Sequence, residues 1–332
     1  MNLFPPKKTV SLMIQDYVIR MAASAKGSGQ SITLREEPLP VGMIEDGQIV
    51  DEQKFYELMK ELVDSWDLKK SRVQFFVPDS SVLMKPVMIP SDIKQEALKE
   101  YFMMEAGQSL HFPFEDPLID VIRLEQVTKS RTGQGETPGI LFASPHEDIT
   151  AYANAFEDVK MKPVAAEIRA LAIHRFLDSL QFLKKSKTYL ISEWSLNALN
   201  ISIFSENVID FMRYQSIETV LSDWKPERDG EELHFTFHGD QAFYEQQLED
   251  RIAEIERLMN FYRFSLHKGE KEIDEIILTG DNPYLKEIGQ KLESYYQLPV
   301  TITDETFLDT YHQGLKAKHT GLIGLMQKEA GR

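Results

Sequence analysis

Two stretches of this chain, one starting near residue 9 and one near residue 188, open in the same way. Each runs strand, turn, return strand, and then alternates helices with strands. That duplicated plan constrains the fold more than any short motif. A chain that mixes period-two and period-3.6 apolar patterns in this order builds helices against mixed sheets. In the first half, residues 9–23 alternate at Val10, Leu12 and Ile14 and run apolar from 18 to 21, which predicts a strand. Lys26-Gly27-Ser28-Gly29 is a turn, and 31–35 returns as a strand. Residues 51–66 place Phe55, Leu58, Met59, Leu62 and Trp66 at helical spacing, with Asp51 as N-cap. Residues 72–77 and 81–89 read as paired strands around Pro78-Asp79-Ser80, and a helix capped by Ser91 is expected over 90–107. Strands are predicted at 118–124 and 139–144, a polar hairpin tip at 129–138, and a helix over 145–159. Residues 162–164 then lead into a helix that ends near 183.

Lys184-Lys185-Ser186-Lys187 marks the border between halves. Beyond it, strands are predicted at 188–191, 199–204 and 208–213, and a polar loop at 224–232. The clearest helix is 246–264, where Leu248, Ile252, Ile255, Met259 and Tyr262 step by four, three, four and three. A strand at 273–278 ends on Thr279-Gly280, followed by a helix at 283–296, a strand at 300–302 and a last helix carrying Gly321 and Gly324. No tandem repeat of solenoid length occurs. Two similar α/β halves, the first with an inserted piece, predict a bilobed fold.

Composition narrows the function. The chain has 332 residues, enough for two lobes, and a formal charge of −16. Such an acidic chain repels phosphate backbones and anionic lipid, so neither nucleic acid nor direct membrane insertion is expected. With no cysteine, disulfides and thiolate chemistry are excluded. The first residues lack an apolar run of signal-peptide length, and no stretch approaches the ~20 apolar residues of a bilayer span. The expected place is the cytoplasm, peripheral to the inner face of the membrane through a protein partner.

Four segments, taken in order, resemble the PilM family of type IV pilus assembly proteins. These are members of the actin-like superfamily, alongside the cell-division protein FtsA. The segments are residues 39–51, opening Leu39-Pro40-Val41-Gly42-Met43-Ile44-Glu45-Asp46-Gly47; residues 72–90 followed by 100–114, with Glu105-Ala106-Gly107-Gln108-Ser109-Leu110-His111-Phe112-Pro113-Phe114; residues 254–262; and Ile276-Ile277-Leu278-Thr279-Gly280 with Leu285 and the late Gly321-Leu322-Ile323-Gly324-Leu325. The resemblance implies an α/β, bilobed actin-like (ribonuclease H-like) ATPase fold. Its first lobe would span 1–183, with an inserted α+β subdomain at about 80–165, and its second lobe 184–332.

Actin-like ATPases hold Mg-ATP between the lobes. Each lobe supplies a strand–turn–strand whose Asp serves the metal and whose Gly lets backbone amides approach phosphate. At the positions that match the first such motif, this chain has Met13 for the Asp and Gln15 for the Gly, and keeps a basic residue at Arg20. At the second it has Ser192 for the Asp and Trp194 for the Gly, and the adenosine-side Gly-Gly is reduced to Gly280-Asp281. Glu193 is one residue late, and a one-residue shift on a strand points to the other face, whereas Asp16 falls in the turn and stays open as an acid that could reach the metal. The Trp194 indole is expected to compete for phosphate space. The expectation is therefore a protein without catalytic residues, with neither ATP nor Mg²⁺ as cofactor.

Other candidates yield to plainer readings. His234 and His238 alternate along a strand about 13 Å apart, too far for one ion. Glu96, Glu100 and Glu105 read as a solvated helix face, and His111 as a loop histidine. Phe112 and Phe114 either plug the inserted subdomain onto the first lobe or line a partner groove. In the resembled family, the cytoplasmic tail of the membrane protein PilN docks near the first lobe and its insert. The resemblance thus implies a non-catalytic adaptor of a pilus or related secretion or competence platform. It would bind a PilN-like tail and extend to self-association and to the assembly motor. The alternative is an ATP-binding or ATP-hydrolysing protein with a rebuilt site. An FtsA-like anchor would need a C-terminal amphipathic helix, which residues 316–332 lack.

Overall fold

The structure, a computed structural model, describes residues 8–24, 32–124, 135–311 and 314–328. The expected turn at 26–29 and most of the expected hairpin tip at 129–138 lie outside them. The chain forms two compact units, Met1–Asp79 with Ala155–Arg332, and Ser80–Asn154.

In the larger unit the chain begins with β1 (Thr9–Gln15), β2 (Val18–Ser24), β3 (Ile32–Pro38), the short pair β4 (Ile44–Glu45) and β5 (Gln48–Ile49), helix α1 (Glu52–Ser65) and β6 (Arg72–Phe76). The smaller unit holds β7 (Leu83–Pro90), α2 (Leu98–Glu105), β8 (Pro117–Arg123) and β9 (Glu136–Pro145), and α3 (His146–Asp158) leads out of it. The larger unit resumes with β10 (Lys162–Glu167), α4 (Arg169–Ser179), β11 (Thr188–Trp194), β12 (Ala198–Ser205), β13 (Val208–Ser216), the hairpin β14 (Trp224–Asp229) and β15 (Glu232–Phe237), and α5 (Gln241–Asn260). It closes with β16 (Glu275–Gly280), α6 (Leu285–Tyr296), β17 (Val300–Ile302), α7 (Glu305–Asp309) and α8 (Thr320–Met326).

The duplicated plan is visible in the two five-stranded sheets, ordered β10-β6-β1-β2-β3 and β13-β12-β11-β16-β17. In each, the first three strands form an antiparallel meander, and the first strand also pairs in parallel with a later one. Parallel pairing needs a crossover, and α1 and α5 fall within the two connections. Asp51 caps α1 by accepting from the Lys54 amide at 3.0 Å, and Phe55, Met59, Leu62 and Val63 form its buried stripe.

Several local expectations are corrected. Residues 9–23 are two strands, not one, folded about Asp16-Tyr17. β6 and β7 do not pair: β6 lies between β1 and β10, and β7 pairs with β9 in a separate three-stranded sheet. Residues 162–167 form a strand at a sheet edge, where Pro163 costs no interior ladder bond. The helix expected from residue 90 starts at Leu98, because Pro90 still pairs with Glu136. The polar run from 224 is strand β14, drawn into order by Trp224 packing on Phe237 and Tyr244 at 4.7 and 5.1 Å. α5 begins at Gln241 because Asp240 caps it, accepting from the Phe243 amide at 3.1 Å.

α8 comes late in the sequence yet packs with α4 against the first sheet, in an apolar cluster with Met13, Phe76, Ala172, Phe176 and Leu322. Gly324 makes this crossing possible, since a Cβ there would stand 1.8 Å from the Ala172 carbonyl oxygen. Gly324→Ala should therefore cost about 1–3 kcal/mol through overpacking. Urea denaturation checks this, with Gly314→Ala unsuitable as control because its φ is +81°, and Gln290→Ala on the exposed face of α6 suitable.

Candidate functional site

The two hairpin turns that match the phosphate motifs touch each other. In the first, Asp16 is held from its own lobe by the amides of Asp46 and Gly47 at 3.0 and 2.8 Å. From the second turn, the Asn197 amide donates to Asp16 Oδ2 at 2.7 Å. Burial raises the Asp16 pKa, while the Gly47 amide and Asn197 pull it down. Beside it, Tyr17 Oη accepts from the Leu196 amide at 3.3 Å and donates to Asp281 Oδ1 at 2.7 Å. Burial, followed by the Asp281 charge, pushes the Tyr17 hydroxyl well above its ordinary range, so it serves as a neutral donor.

Behind Tyr17 sits a buried cluster that the decayed motifs build together. Arg20, only 1% exposed on β2, donates to Gln15 Oε1 at 2.7 Å and to Asp281 Oδ2 at 2.6 Å. Its Nε lies 3.6 Å from Glu36 on β3. Glu36 also takes Lys318 at 2.9 Å and the His319 ring at 3.1 Å. Burial opposes the Glu36 charge, but the His319 hydrogen bond and the charges of Arg20 and Lys318 win and hold its pKa at about 2. Burial depresses Lys318 and His319, against the pull of Glu36. Gln15 and Asp281, which stand where the resembled motifs carry glycine, thus both bind the guanidinium of Arg20.

Gly280 is retained for a geometric reason. Its φ is +113°, and a Cβ would meet the Trp194 carbonyl oxygen at 2.1 Å. That carbonyl accepts from the amides of Asp281 and Asn282 at 3.0 and 3.1 Å, which fixes Asp281 toward Arg20. The Trp194 indole points elsewhere than expected. It is fully buried among Leu190, Leu199 and other apolar residues, and its Nε1 donates to Ser192 Oγ at 3.2 Å. Glu193, on the opposite face of β11, meets Arg169 of α4 at 3.4 Å, and Arg169 also holds Asp79 at 2.9 Å. Asn200 bridges both carboxylates at 3.1 and 3.2 Å. Burial raises the pKa of both acids against the Arg169 charge. A further contact between the lobes stacks His174 of α4 on Phe204 of β12 at 4.1 Å.

Neither position that matches a motif acid carries a carboxylate. Magnesium asks for hard oxygen ligands. Met13 offers a thioether buried in the apolar cluster of the first lobe, and the Ser192 hydroxyl is fully buried and bonded to Trp194. Among the described residues no group of three or more His, Asp or Glu is placed to hold a metal ion. A cavity of about 570 Å³ opens beside the cluster, lined by Arg20, Phe235, Asp281, Asn282, Glu305 and Lys316 among others. His234 and His238 are exposed, and His234 pairs with Glu227 at 3.3 Å. In the smaller unit, Phe112 and Phe114 stack at 5.9 Å, half-buried against a core that includes Val87, Phe102 and Ile119. The sequence reading missed Tyr17, Glu36, Asn197, Lys318 and His319. Asp281 standing where a glycine is expected was the one available signal.

Breaking a buried ion cluster strands its other charges. Arg20→Met should cost about 3–5 kcal/mol, and pairing it with Asp281→Leu should recover part of that, measured by urea denaturation. Acid should also destabilise the fold. Burial holds the His174 pKa at about 4 against an ordinary 6.5, so the unfolded chain takes the proton first. That contribution is complete above pH 6.5 and lost as pH falls toward 4. His174→Phe should flatten the stability–pH curve across this window.

The sequence matches the family model of the type IV pilus assembly protein PilM over residues 14–218, well over half the chain. Among curated proteins no sequence match is found. Among solved structures, the PilM-PilN type IV pilus biogenesis complex aligns with a TM-score of 0.75 at 15% identity, covering 97% of this chain and 98% of that one. A Bacteroides thetaiotaomicron protein with an actin-like ATPase fold and unknown function aligns at 0.52 and 12% identity, covering 97% and 96%. MreB5 of Spiroplasma citri bound to ADP aligns at 0.50 and 10%, covering 95% and 94%. With two sheets of one topology joined across buried turns and a family match of this extent, the chain belongs to the PilM family of type IV pilus assembly proteins and has the actin-like fold.

Proposed function

We propose that this protein is a non-catalytic scaffold of a type IV pilus assembly platform, or of a related secretion or competence machine. It works on the cytoplasmic side and binds the N-terminal tail of a PilN-like membrane protein. The observation that carries the non-catalytic part is the contact between the two turns. Asp16 and Asn197, 2.7 Å apart, close the place where the fold would otherwise admit phosphate. Binding a tail needs no turnover, so a site can be lost to catalysis while the surfaces around it keep their work. The partner follows from family membership and from the solved complex of PilM with PilN. No helix among the described residues is long and apolar enough to cross a membrane, which is in keeping with recruitment by such a tail.

An extended peptide is captured by strand edges or by grooves with pockets for alternate side chains. Phe112 and Phe114, half-buried and with Lys85 5.3 Å over the Phe112 ring, are the proposed contact for the tail. Self-association and contact with the assembly motor belong to the same reading. Its rival is a nucleotide-binding protein with a rebuilt site, for which the cavity beside Asp281 offers the space.

The test pairs two measurements on the full chain. Synthetic N-terminal tails of membrane proteins encoded beside this gene should bind in a fluorescence assay, and Phe112→Ala should weaken the tightest about tenfold or more. Millimolar Mg-ATP should leave the melting temperature unchanged, whereas a ligand well above its dissociation constant raises it. Failure of every tail, or a clear upward shift with Mg-ATP, favours the rival.

A further inference from the structure

A ligand that bridges two lobes holds them closed only to the extent that it binds the closed form better than the open one. In this chain, bridging groups are part of the protein. The Asp16–Asn197 contact joins one turn to the other at 2.7 Å. Tyr17 Oη stands between the Leu196 amide and Asp281 at 3.3 and 2.7 Å. Arg20 of the first lobe reaches Asp281 of the second at 2.6 Å, and Arg169 reaches Glu193 at 3.4 Å.

Two more contacts lie away from the turns. Tyr214 of β13 donates to Asp46 at 3.0 Å. The β14–β15 hairpin, which belongs to the second half of the chain, lies along β3. There Arg228 donates to the Glu36 carbonyl and to Glu37, both at 2.8 Å, and Lys318, which donates to the Leu233 carbonyl at 2.7 Å, also reaches Glu36 at 2.9 Å. Several are solvent-exposed and individually small. They join the same two lobes, however, so opening the lobes breaks them together and exposes Arg20, Glu36 and Asp281 at once.

The geometry points to a cleft closed by its own side chains, with Asp281 and Arg20 standing in for the bridging anion and its counter-charge, so that the lobes stay closed at every nucleotide concentration. The closed state is then a fixed property of the scaffold and not a switch. This inference does not depend on the identity of the pilus partner.

The chain has no cysteine, so Lys60→Cys on α1 and Glu287→Cys on α6, both exposed, give two unique spin-label sites, one on each lobe. Pulsed electron–electron distance measurements on the full chain should show one narrow population, identical with and without millimolar Mg-ATP. Asp281→Asn should broaden it toward longer distances. Tyr17→Phe, which removes a single hydroxyl, should speed amide exchange at Leu196 about tenfold, and this milder variant keeps the test decisive if Asp281→Asn does not fold. Two populations in the unliganded protein, a shortening with Mg-ATP, or unaltered Leu196 exchange in Tyr17→Phe would each overturn the inference. A failed tail-binding assay would leave it standing.

Discussion

A guanidinium that is 1% exposed must have its charge met inside the protein, and Arg20 meets it from both lobes. Gln15 from its own hairpin, Glu36 from the neighbouring strand and Asp281 from across the cleft converge on it. Arg20, Glu36 or Asp281 would each be costly alone, since a buried unpaired charge is penalised by several kcal/mol. Together they are neutral enough to stay, with Lys318 balancing the second carboxylate. The arrangement also explains why the substitutions belong together. A glutamine where a glycine would leave room and an aspartate where a second glycine would lie are complementary halves of one contact.

Met13 and Ser192, standing where metal-side acids are expected, offer magnesium no carboxylate but do not by themselves shape a stable cleft. A cleft stripped of its ligand would leave two facing walls of backbone amides and polar side chains exposed to water or unsatisfied. Here the walls satisfy one another: the Leu196 amide has Tyr17, and Asp16 has Asn197. The second cluster, Asp79–Arg169–Glu193, performs the same service a little further along the seam.

The architecture was legible because it is written twice and in long-range pattern. β1 carries apolar residues in period two and β11 in a consecutive run, α1 and α5 carry them in helical period, and the family resemblance ties the pieces together in order. What was not legible was partner choice. Residues 72–77 and 81–89 look like a hairpin locally, and only the competition of β1 and β10 for β6 sends β7 elsewhere. Residues 162–167 carry Pro163 and two alanines and look like a lead-in to a helix until an edge position makes a strand acceptable. At the site, the sequence showed which functions were missing but not what replaced them. Glu36 and Lys318 are 282 positions apart, and nothing short-range marks them as neighbours. Trp194 was read by its bulk, whereas its strand parity sends the ring into the core.

The return of α8 to the first lobe carries a consequence for how the protein is made. β1, β2 and β6 leave the ribosome early, but the helix that covers Met13 and Phe76 beside α4 is the stretch Thr320–Met326. Until those residues emerge, part of the lobe's apolar floor has no lid of its own. Folding of the first lobe can begin during synthesis but is finished only after residue 326 has emerged. A product that stops before residue 320 therefore carries an uncovered apolar surface on its first lobe.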